Sequence, residues 1–185
     1  KLKRITSKKM TSDKEKSWLR LKLREYKVKN SDITELDKRM DIIPVSIALA
    51  QAAKESGWGT SRFALEGNAM FGQWTWGKDG IEPAEKEKNR GHKILRFPML
   101  RSSVKSYLHN LNTHRGYREF REQRSELRSK NRNISGLDLV KYLYNYAATG
   151  TDYVKTLEKI ISQNNLTDFD NSVLMNSSRS SSLTL

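Results

Sequence analysis

Residues 43–59 read IPVSIALAQAAKESGWG, and this stretch predicts the central helix of the fold. Pro44 suits the first turn of a helix, because its missing N–H would have no partner there. The residues that follow are almost all apolar, with alanines that allow a second helix to pack closely. Gly57 predicts the end of the helix, since glycine readily takes the left-handed conformation that follows a last helical turn.

Two polar residues interrupt this apolar helix. Gln51 and Glu55 are four residues apart and therefore share a face. Glu55 lies in the last turn, where the helix dipole disfavours a negative charge, and burial beside Trp58 would act in the same direction. A carboxyl group that stays protonated near neutral pH is what a general acid requires. From position alone, a solvated glutamate at a helix end is the alternative interpretation.

The segment that follows carries a resemblance to a known family. Residues 56–74 read SGWGTSRFALEGNAMFGQW, in which glycines separate aromatic residues and a second short helix is predicted over 61–66. The pattern A-x-A-A-x-E-S-G-W-G-T-S-R-F-A, followed by G-N-x-x-F-G, resembles the peptidoglycan β-N-acetylglucosaminidases of glycoside hydrolase family 73. The extended form that ends in G-x-W is most similar to their Bax-type branch.

This resemblance implies a mostly α (α+β) fold: a lysozyme-like helical domain with a small β-hairpin lobe, at about residues 73–98, beside a cleft. It also implies that Glu55 is the catalytic acid and that the hairpin lobe carries a second acidic residue. Glu87 is preferred, because it lies nearer the turn that the sequence predicts around Asn89. The other candidates are Glu82 and Glu85, and for each of the three a solvated hairpin charge is the alternative.

Further cleft residues follow from the same resemblance. The stretch YLHNLNTHRGYREFR at 107–121 maps a tyrosine of the family's sugar cleft onto Tyr117. The stretch YAATGTDY at 146–153 resembles another family motif, which makes Tyr146 a cleft candidate and Tyr153 a core anchor of the last helix. Gln51 and four aromatic residues complete the predicted substrate contacts: Trp58, Phe71, Trp74 and Trp76. Packed core residues are the alternative for the tyrosines and these aromatics.

Hydrolysis of a β-1,4 sugar bond needs an acid for the leaving oxygen and a second group that stabilises the sugar centre or activates water. The resemblance assigns the acid to Glu55. The sequence leaves three routes open for the second function: a distant carboxylate with inversion, a near carboxylate with retention, or the N-acetyl group of the substrate itself.

The composition limits the classes of function. The chain has 185 residues, enough for one domain with a core, and a net charge of +14 that attracts polyanions such as nucleic acid, anionic lipid or anionic wall polymers. The absence of cysteine excludes disulfides and thiolate metal sites. We expect no metal and no cofactor, since the three histidines lack metal-ligand spacing: His92, His109 and His114.

We expect a basic flexible arm at 1–11, a single domain at 12–168 and a disordered Ser/Asn-rich tail at 169–185. Further helices are predicted over 102–114, over 118–130 as a charged and solvated helix, and over 136–148. The start KLKRITSKK lacks the apolar core of a signal peptide, so we expect none within this chain. No apolar run reaches the length that a bilayer requires.

The leading hypothesis is therefore a peptidoglycan hydrolase, an endo-β-N-acetylglucosaminidase that acts on glycan strands in the cell envelope (periplasm) or after secretion. Its charge allows anionic wall polymers as further partners, and we expect a monomer that binds no nucleic acid. The alternative is a non-catalytic cationic module that binds wall polymer or nucleic acid on the same scaffold. A muramidase or a lytic transglycosylase is the alternative among enzymes.

Overall fold

The computed structural model describes residues 2–7, 12–82, 93–130 and 132–173. The α-helices within these residues are α1 (Leu2–Thr6), α2 (Asp13–Glu25), α3 (Ile33–Arg39), α4 (Val45–Ser56), α5 (Arg62–Gly67), α6 (Leu100–Thr113), α7 (Arg118–Ser129), α8 (Gly136–Leu139) and α9 (Thr151–Gln163). Short 3₁₀ helices follow α6, α8 and α9, at Arg115–Tyr117, Val140–Leu143 and Leu166–Phe169. The described part of the chain is thus mostly helical, as the sequence predicts.

Helix α4 is the predicted central helix. Pro44 is its N-cap residue, and Gly57 ends it in the left-handed conformation with φ 58° and ψ 51°. Ile47 and Ala50 are fully buried in the main core. The helices that surround α4 supply most of the other core side chains: Tyr107, Leu111, Phe120, Leu139, Tyr153, Leu157 and Ile161. A mostly apolar helix belongs in such a buried position, and one side of α4 still faces outward with Val45 and Leu49 exposed.

The first turn of α4 is capped from the far end of the described chain. Pro44 makes no side-chain capping bond. Instead, the Asp170 carboxylate accepts hydrogen bonds from Ser46 N (2.9 Å) and from Ser46 Oγ (2.8 Å). It also accepts from Gly136 N (2.8 Å) at the start of α8. One carboxylate therefore satisfies the free N–H groups of two helix starts, where the helix dipole favours negative charge.

The β lobe is a three-stranded antiparallel sheet in the order β1-β3-β2, built from β1 (Trp74–Thr75), β2 (Gly80–Ile81) and β3 (Lys93–Leu95). Trp74 pairs with Ile94, and Ile81 pairs with the same residue from the other side. The predicted hairpin lobe is therefore present, with β3 as its central strand. The predicted turn near Asn89 lies outside the described residues.

The described part of the predicted N-terminal arm is a helix with buried side chains, so the expectation of a flexible arm is wrong for Leu2–Thr6. Leu2 and Ile5 are buried, and Leu2 packs with Leu23 and Leu36 in a second apolar cluster. Two apolar residues three apart share one face of a helical turn, and that face covers apolar side chains that would otherwise be open to water.

Two other helical predictions need correction. Helix α7 is not a purely solvated charged helix, because Arg121 and Arg124 are buried in it. The segment 136–148 is not one helix: α8 ends at Leu139, and a 3₁₀ helix, Val140–Leu143, continues from it. The predicted tail also starts too early, because the Asp170 carboxylate is fixed by its three hydrogen bonds to Ser46 and Gly136.

Candidate active site

Glu55 lies in the last turn of α4, and the chain after it turns sharply. Gly57, Trp58 and Gly59 take left-handed conformations in succession, with φ of 58°, 58° and 80°. Trp58 N donates to Ala53 O (2.8 Å), which closes the end of the helix. Left-handed backbone is uncommon for a residue with a large side chain. Here it leaves the Trp58 side chain 64% exposed, three residues after Glu55.

The Glu55 carboxyl faces Gly72, which lies on the loop before β1. A Cβ atom placed on Gly72 would be 3.4 Å from Glu55 Oε2. Gly72 also has a φ of +58°, a conformation that side chains resist. Glycine at this position therefore allows the loop backbone to approach the carboxyl group closely.

The pKa of Glu55 is raised above its ordinary value, chiefly because burial disfavours the charged carboxylate. The nearby Tyr153 hydroxyl and the positive charge of Lys54 act in the opposite direction and do not cancel the effect. The direction is the one expected for a general acid. The expectation that Trp58 buries the Glu55 carboxyl is not met, because Trp58 is exposed.

A cluster of tyrosines faces Glu55. The Tyr146 ring stacks on Tyr153, with centroids 5.5 Å apart and planes 5° from parallel, and the Tyr117 ring lies 6.1 Å from Tyr146. Tyr146 Oη donates to Phe71 O (3.0 Å). Burial, with the negative charge of Glu55 as a further cause, raises the pKa of Tyr117 to about 12 and that of Tyr146 and Tyr153 well above the ordinary value. These hydroxyls therefore stay protonated and act as donors near Glu55.

Gln51 and Phe71 are predicted substrate contacts, but the structure buries both. Gln51 is fully buried and bridges two tyrosines, Tyr107 and Tyr153, through its amide. Phe71 is buried and its ring stacks on Tyr107, with centroids 3.9 Å apart. Neither side chain is open to a sugar. Their predicted role as substrate contacts is therefore wrong, and both instead pack in the core beside the site.

Three tryptophans are open to a ligand. Trp58, Trp74 and Trp76 are 64%, 55% and 75% exposed. Trp74 begins the edge strand β1, and Trp76 follows that strand, so both lie on the β lobe. Exposed aromatic side chains that form a contiguous patch often mark binding surfaces, whereas single ones are common. Their contact with substrate stays a prediction.

The second acid also stays a prediction. Glu82 lies at the end of β2, is exposed and pairs with Lys93 (3.5 Å). Its backbone oxygen accepts a hydrogen bond from Arg62 of α5. Glu85 and Glu87 lie outside the described residues. Glu82 is therefore tied to the sheet by a surface ion pair, and the preferred candidate Glu87 has no described geometry.

Tyr153 lies near Glu55, and the sequence does not predict this. The motif YAATGTDY contains both Tyr146 and Tyr153, and the sequence predicts a place in the cleft for Tyr146 alone. Tyr153 is buried, as a core anchor should be, yet its hydroxyl lies close enough to Glu55 to lower the pKa of that carboxyl. The sequence signal for this contact is weak, because nothing in the motif indicates that the start of α9 packs against the end of α4.

Among the residues that the structure describes, no group of three or more metal-ligating side chains comes together. Over the same residues, no helix combines the length and apolarity that crossing a bilayer requires.

The family follows from comparison with known proteins. The glucosaminidase family model, described as mannosyl-glycoprotein endo-beta-N-acetylglucosaminidase, matches residues 30–166. The chain belongs to the glucosaminidase family. That match contains α4 with Glu55, the β lobe and the tyrosine cluster, so the described site lies entirely within the family's domain.

Two known proteins are similar to this glucosaminidase domain, one in sequence and one in fold. The chain is 36% identical over 137 residues to protein bax from Escherichia coli (strain K12), an alignment that covers 70% of this chain and 48% of that protein. It thus spans about half the length of this curated relative. The fold is similar to that of the catalytic domain of the autolysin Auto from Listeria monocytogenes, with a TM-score of 0.51 at 18% identity, covering 91% of this chain and 94% of that domain. The predicted family and the lysozyme-like fold class are confirmed.

Proposed function

We propose that this glucosaminidase domain hydrolyses the β-1,4 bond between N-acetylglucosamine and N-acetylmuramic acid in peptidoglycan, with Glu55 as the general acid. The observation that carries the proposal is the environment of this carboxyl group. It is half-buried, it faces the backbone at Gly72, and burial raises its pKa. A carboxyl of this kind holds its proton at a pH where ordinary glutamates have lost theirs.

In the proposed reaction, the Glu55 carboxyl gives its proton to the bridging oxygen while the bond from that oxygen to C1 of N-acetylglucosamine breaks. The leaving sugar departs as an alcohol. In the same or a later step a water molecule forms a bond to C1 and gives up one proton, which replaces the proton that Glu55 donated. Tyr117 is buried in the core like Phe71, so it is proposed to support this centre through its protonated hydroxyl in the tyrosine cluster rather than by stacking on the sugar. Glu87 remains the proposed second carboxylate.

Aromatic side chains are proposed to hold the glycan strand. Trp58 is exposed just beyond the end of α4, and Trp74 is exposed on the β lobe. Their flat faces suit the apolar faces of sugar rings. Tyr146 is proposed to line the same cleft below them, since its ring lies between Tyr117 and Tyr153.

Family membership supports action outside the cytoplasm, in the cell envelope or after secretion, on peptidoglycan as the partner. The likeness in fold to the catalytic domain of the autolysin Auto agrees with a proposed action on the cell wall. The net charge of +14 further suits an anionic wall.

The test is Glu55→Gln, which keeps the size of the side chain and removes its acidic proton. We expect clearing of purified peptidoglycan to fall about 10²- to 10⁴-fold, the usual contribution of a general acid. Glu66→Gln is the matched control, because Glu66 is an exposed carboxyl on the neighbouring helix α5. Its clearing rate should equal that of the unaltered protein.

Mass spectrometry of the released fragments identifies the bond. A glucosaminidase leaves N-acetylglucosamine at the reducing end, a muramidase leaves N-acetylmuramic acid there, and a lytic transglycosylase leaves an anhydro sugar. Equal clearing by Glu55→Gln and the unaltered protein contradicts the assignment of the acid. Binding without clearing by the unaltered protein would favour the non-catalytic module.

A further inference from the structure

A cavity of about 400 Å³ lies between the C-terminal end of α2 and one side of α6. Glu25 and Tyr26 line it from the first of these elements, and Lys105 and His109 line it from the second. The rings of Tyr26 and His109 are 6.0 Å apart between centroids. The volume falls within the range of about 300 to 1,000 Å³ that is typical of small-molecule sites.

This cavity is separate from the candidate active site. Lys105 and His109 each lie two residues from Tyr107, which places them on the opposite side of α6. Tyr107 is fully buried, and its ring stacks on Phe71 in the core beside the active site. Glu25 also precedes the residues, 30–166, that the family model matches. The cavity therefore includes a part of the chain that lies outside the family's domain.

Four polar side chains line the cavity along one stripe of α6: Ser102, Lys105, Ser106 and His109. Within the part of the chain that the structure describes, none of these four side chains forms a hydrogen bond or an ion pair. Asn112 also lines the cavity but differs from them, because its amide donates to Asp41 O (3.0 Å) and accepts from Arg124 (2.8 Å). The polar stripe on α6 is thus available to a ligand.

The cavity presents two opposite charges that do not neutralise each other. Glu25 pairs with Lys22 through Oε2 (2.6 Å), and among the described residues nothing bonds its other carboxylate oxygen. Lys105 lines the same cavity without pairing with Glu25. A ligand that contacts both groups must therefore carry a carboxylate and an ammonium group at separate ends.

The surfaces between these charges suit a peptide. Burial and the positive charge of Lys27 lower the pKa of His109, and Glu25 acts in the opposite direction without cancelling the effect. His109 is therefore neutral near pH 7, with one ring nitrogen as donor and the other as acceptor. A peptide group likewise has one donor and one acceptor. The Tyr26 ring offers an apolar face to a ligand side chain.

We propose that this cavity binds a short peptide with two free ends, its carboxylate at Lys105 and its amino group at Glu25. His109 and the serine hydroxyls hydrogen-bond the peptide group and the carboxylate between these two points. Such a peptide has two sources, cell-wall peptides that contain D-residues and protein fragments that contain L-residues. The inference does not depend on the activity proposed for Glu55.

The test is a titration of the protein, with nitrogen-labelled histidine, against D-alanyl-D-alanine and against L-alanyl-L-alanine. We expect the ring signals of His109 to move and to saturate, while those of His114 stay in place. His109→Gln identifies the His109 signals by their loss. Saturable binding of either dipeptide supports the site, and the dipeptide that binds more tightly identifies the source.

Blocked dipeptides test the need for both charges on the unaltered protein. The N-acetylated form lacks the ammonium group and the C-terminal amide lacks the carboxylate. Each should bind about tenfold more weakly, as expected for loss of one hydrogen bond to a charged group. Because this comparison needs no variant, it decides the question even if a variant fails to fold.

Lys105→Met and Glu25→Gln remove the same contacts from the protein side, and each should weaken binding of the free dipeptide about tenfold. Lys159→Met is the matched control, because Lys159 is an exposed lysine on α9 that does not line the cavity. Its affinity should equal that of the unaltered protein.

Three results would each overturn the inference: His109 signals that stay in place with both dipeptides, equal affinity for free and blocked dipeptides, or equal affinity of Lys105→Met and Lys159→Met. Glu55→Gln should bind the dipeptide as the unaltered protein does. Failure of the proposed hydrolase activity therefore leaves this binding site intact, and loss of dipeptide binding leaves the proposed activity intact.

Discussion

At the scale of single residues, Glu55 stands between two opposed influences. Burial raises its pKa, whereas the Tyr153 hydroxyl and Lys54 lower it. The balance raises the pKa of the carboxyl, so that Glu55 loses its proton at a higher pH than an exposed glutamate does. The same balance carries a cost in stability, because the folded protein must bury a charge whenever the pH is high enough to ionise Glu55.

This cost predicts that Glu55→Gln stabilises the protein at neutral pH. A carboxyl whose folded pKa is raised contributes its full stability below the unfolded value, here 4.5, and loses it as the pH rises through the folded pKa. Glutamine never ionises and so avoids the loss. Each pH unit between the two pKa values corresponds to about 1.4 kcal/mol.

Thermal unfolding from about pH 4 to pH 8 measures the effect, in a range that brackets the ordinary titration of glutamate. The two proteins should match at the acid end, and the Tm of Glu55→Gln should be higher at the neutral end. Glu66→Gln, at an exposed position, should show little difference at either pH. A Glu55→Gln protein that is less stable at neutral pH would contradict burial as the dominant influence on Glu55.

The sequence predicts residues well where one local rule is sufficient. Gly57 is placed correctly because a helix end with a left-handed residue favours glycine. Gln51 is misread as a substrate contact, because a polar residue on an apolar helix can satisfy its hydrogen bonds either with a ligand or inside the core. Its actual partners, Tyr107 and Tyr153, are 56 and 102 residues away, so no local pattern distinguishes the two cases.

At the scale of elements, side chains from distant parts of the chain fix where the helices begin and end. Asp170 caps α4 and α8 together through Ser46 and Gly136. Arg124 of α7 donates to Ile42 O (2.7 Å) and to Lys38 O (2.7 Å), at the C-terminal end of α3 and just beyond it. Cations stabilise helix C-termini and anions stabilise helix N-termini. These contacts therefore fix the end of α3 and the start of α4.

We predict that Asp170→Ala lowers the free energy of unfolding by about 2 kcal/mol, the upper range for loss of a helix cap. The variant removes three hydrogen bonds, two of them from backbone N–H groups that the helices themselves cannot satisfy. Urea unfolding measures the change as a lower midpoint at an unaltered slope.

Asp168→Ala is the control for this prediction, because Asp168 is an exposed carboxylate two residues away on the preceding 3₁₀ helix. It removes the same charge and should change the free energy of unfolding by less than about 0.5 kcal/mol. Equal midpoints for Asp170→Ala and the unaltered protein would show that water replaces the carboxylate at no cost.

The elements that the sequence predicts poorly are those held by such distant contacts. The run of arginines in α7 reads as a solvated face, yet Arg124 is fully buried and keeps its charge, with a pKa lowered by burial to about 10. Three hydrogen bonds to oxygen atoms from α3, the following loop and α6 make that burial tolerable. The N-terminal helix α1 is missed for a similar reason. Its residue Leu2 packs against Leu23 of α2 and Leu36 of α3, and no local pattern indicates these contacts.

At the scale of the whole molecule, the site needs nearly the full length of the domain. Glu55 comes from α4, Gly72 from the loop before the sheet, and the three tyrosines from after α6, after α8 and from α9. The likeness to the catalytic domain of Auto extends over 91% of this chain at only 18% identity. The fold is therefore retained while most side chains change, which is expected when many contacts together position a few groups.

The net charge of +14 predicts that binding to cell walls falls steeply as salt is added. The range of electrostatic attraction shrinks from about 10 Å at about 0.1 M salt to about 3 Å at about 1 M. Co-sedimentation of Glu55→Gln with purified sacculi measures binding without digestion of the sacculi. Sacculi stripped of anionic polymers are the control, and they should bind less protein at low salt and show a shallower salt dependence. Binding that stays constant over this range would mean that stacking on the exposed tryptophans, rather than charge, holds the protein on the wall.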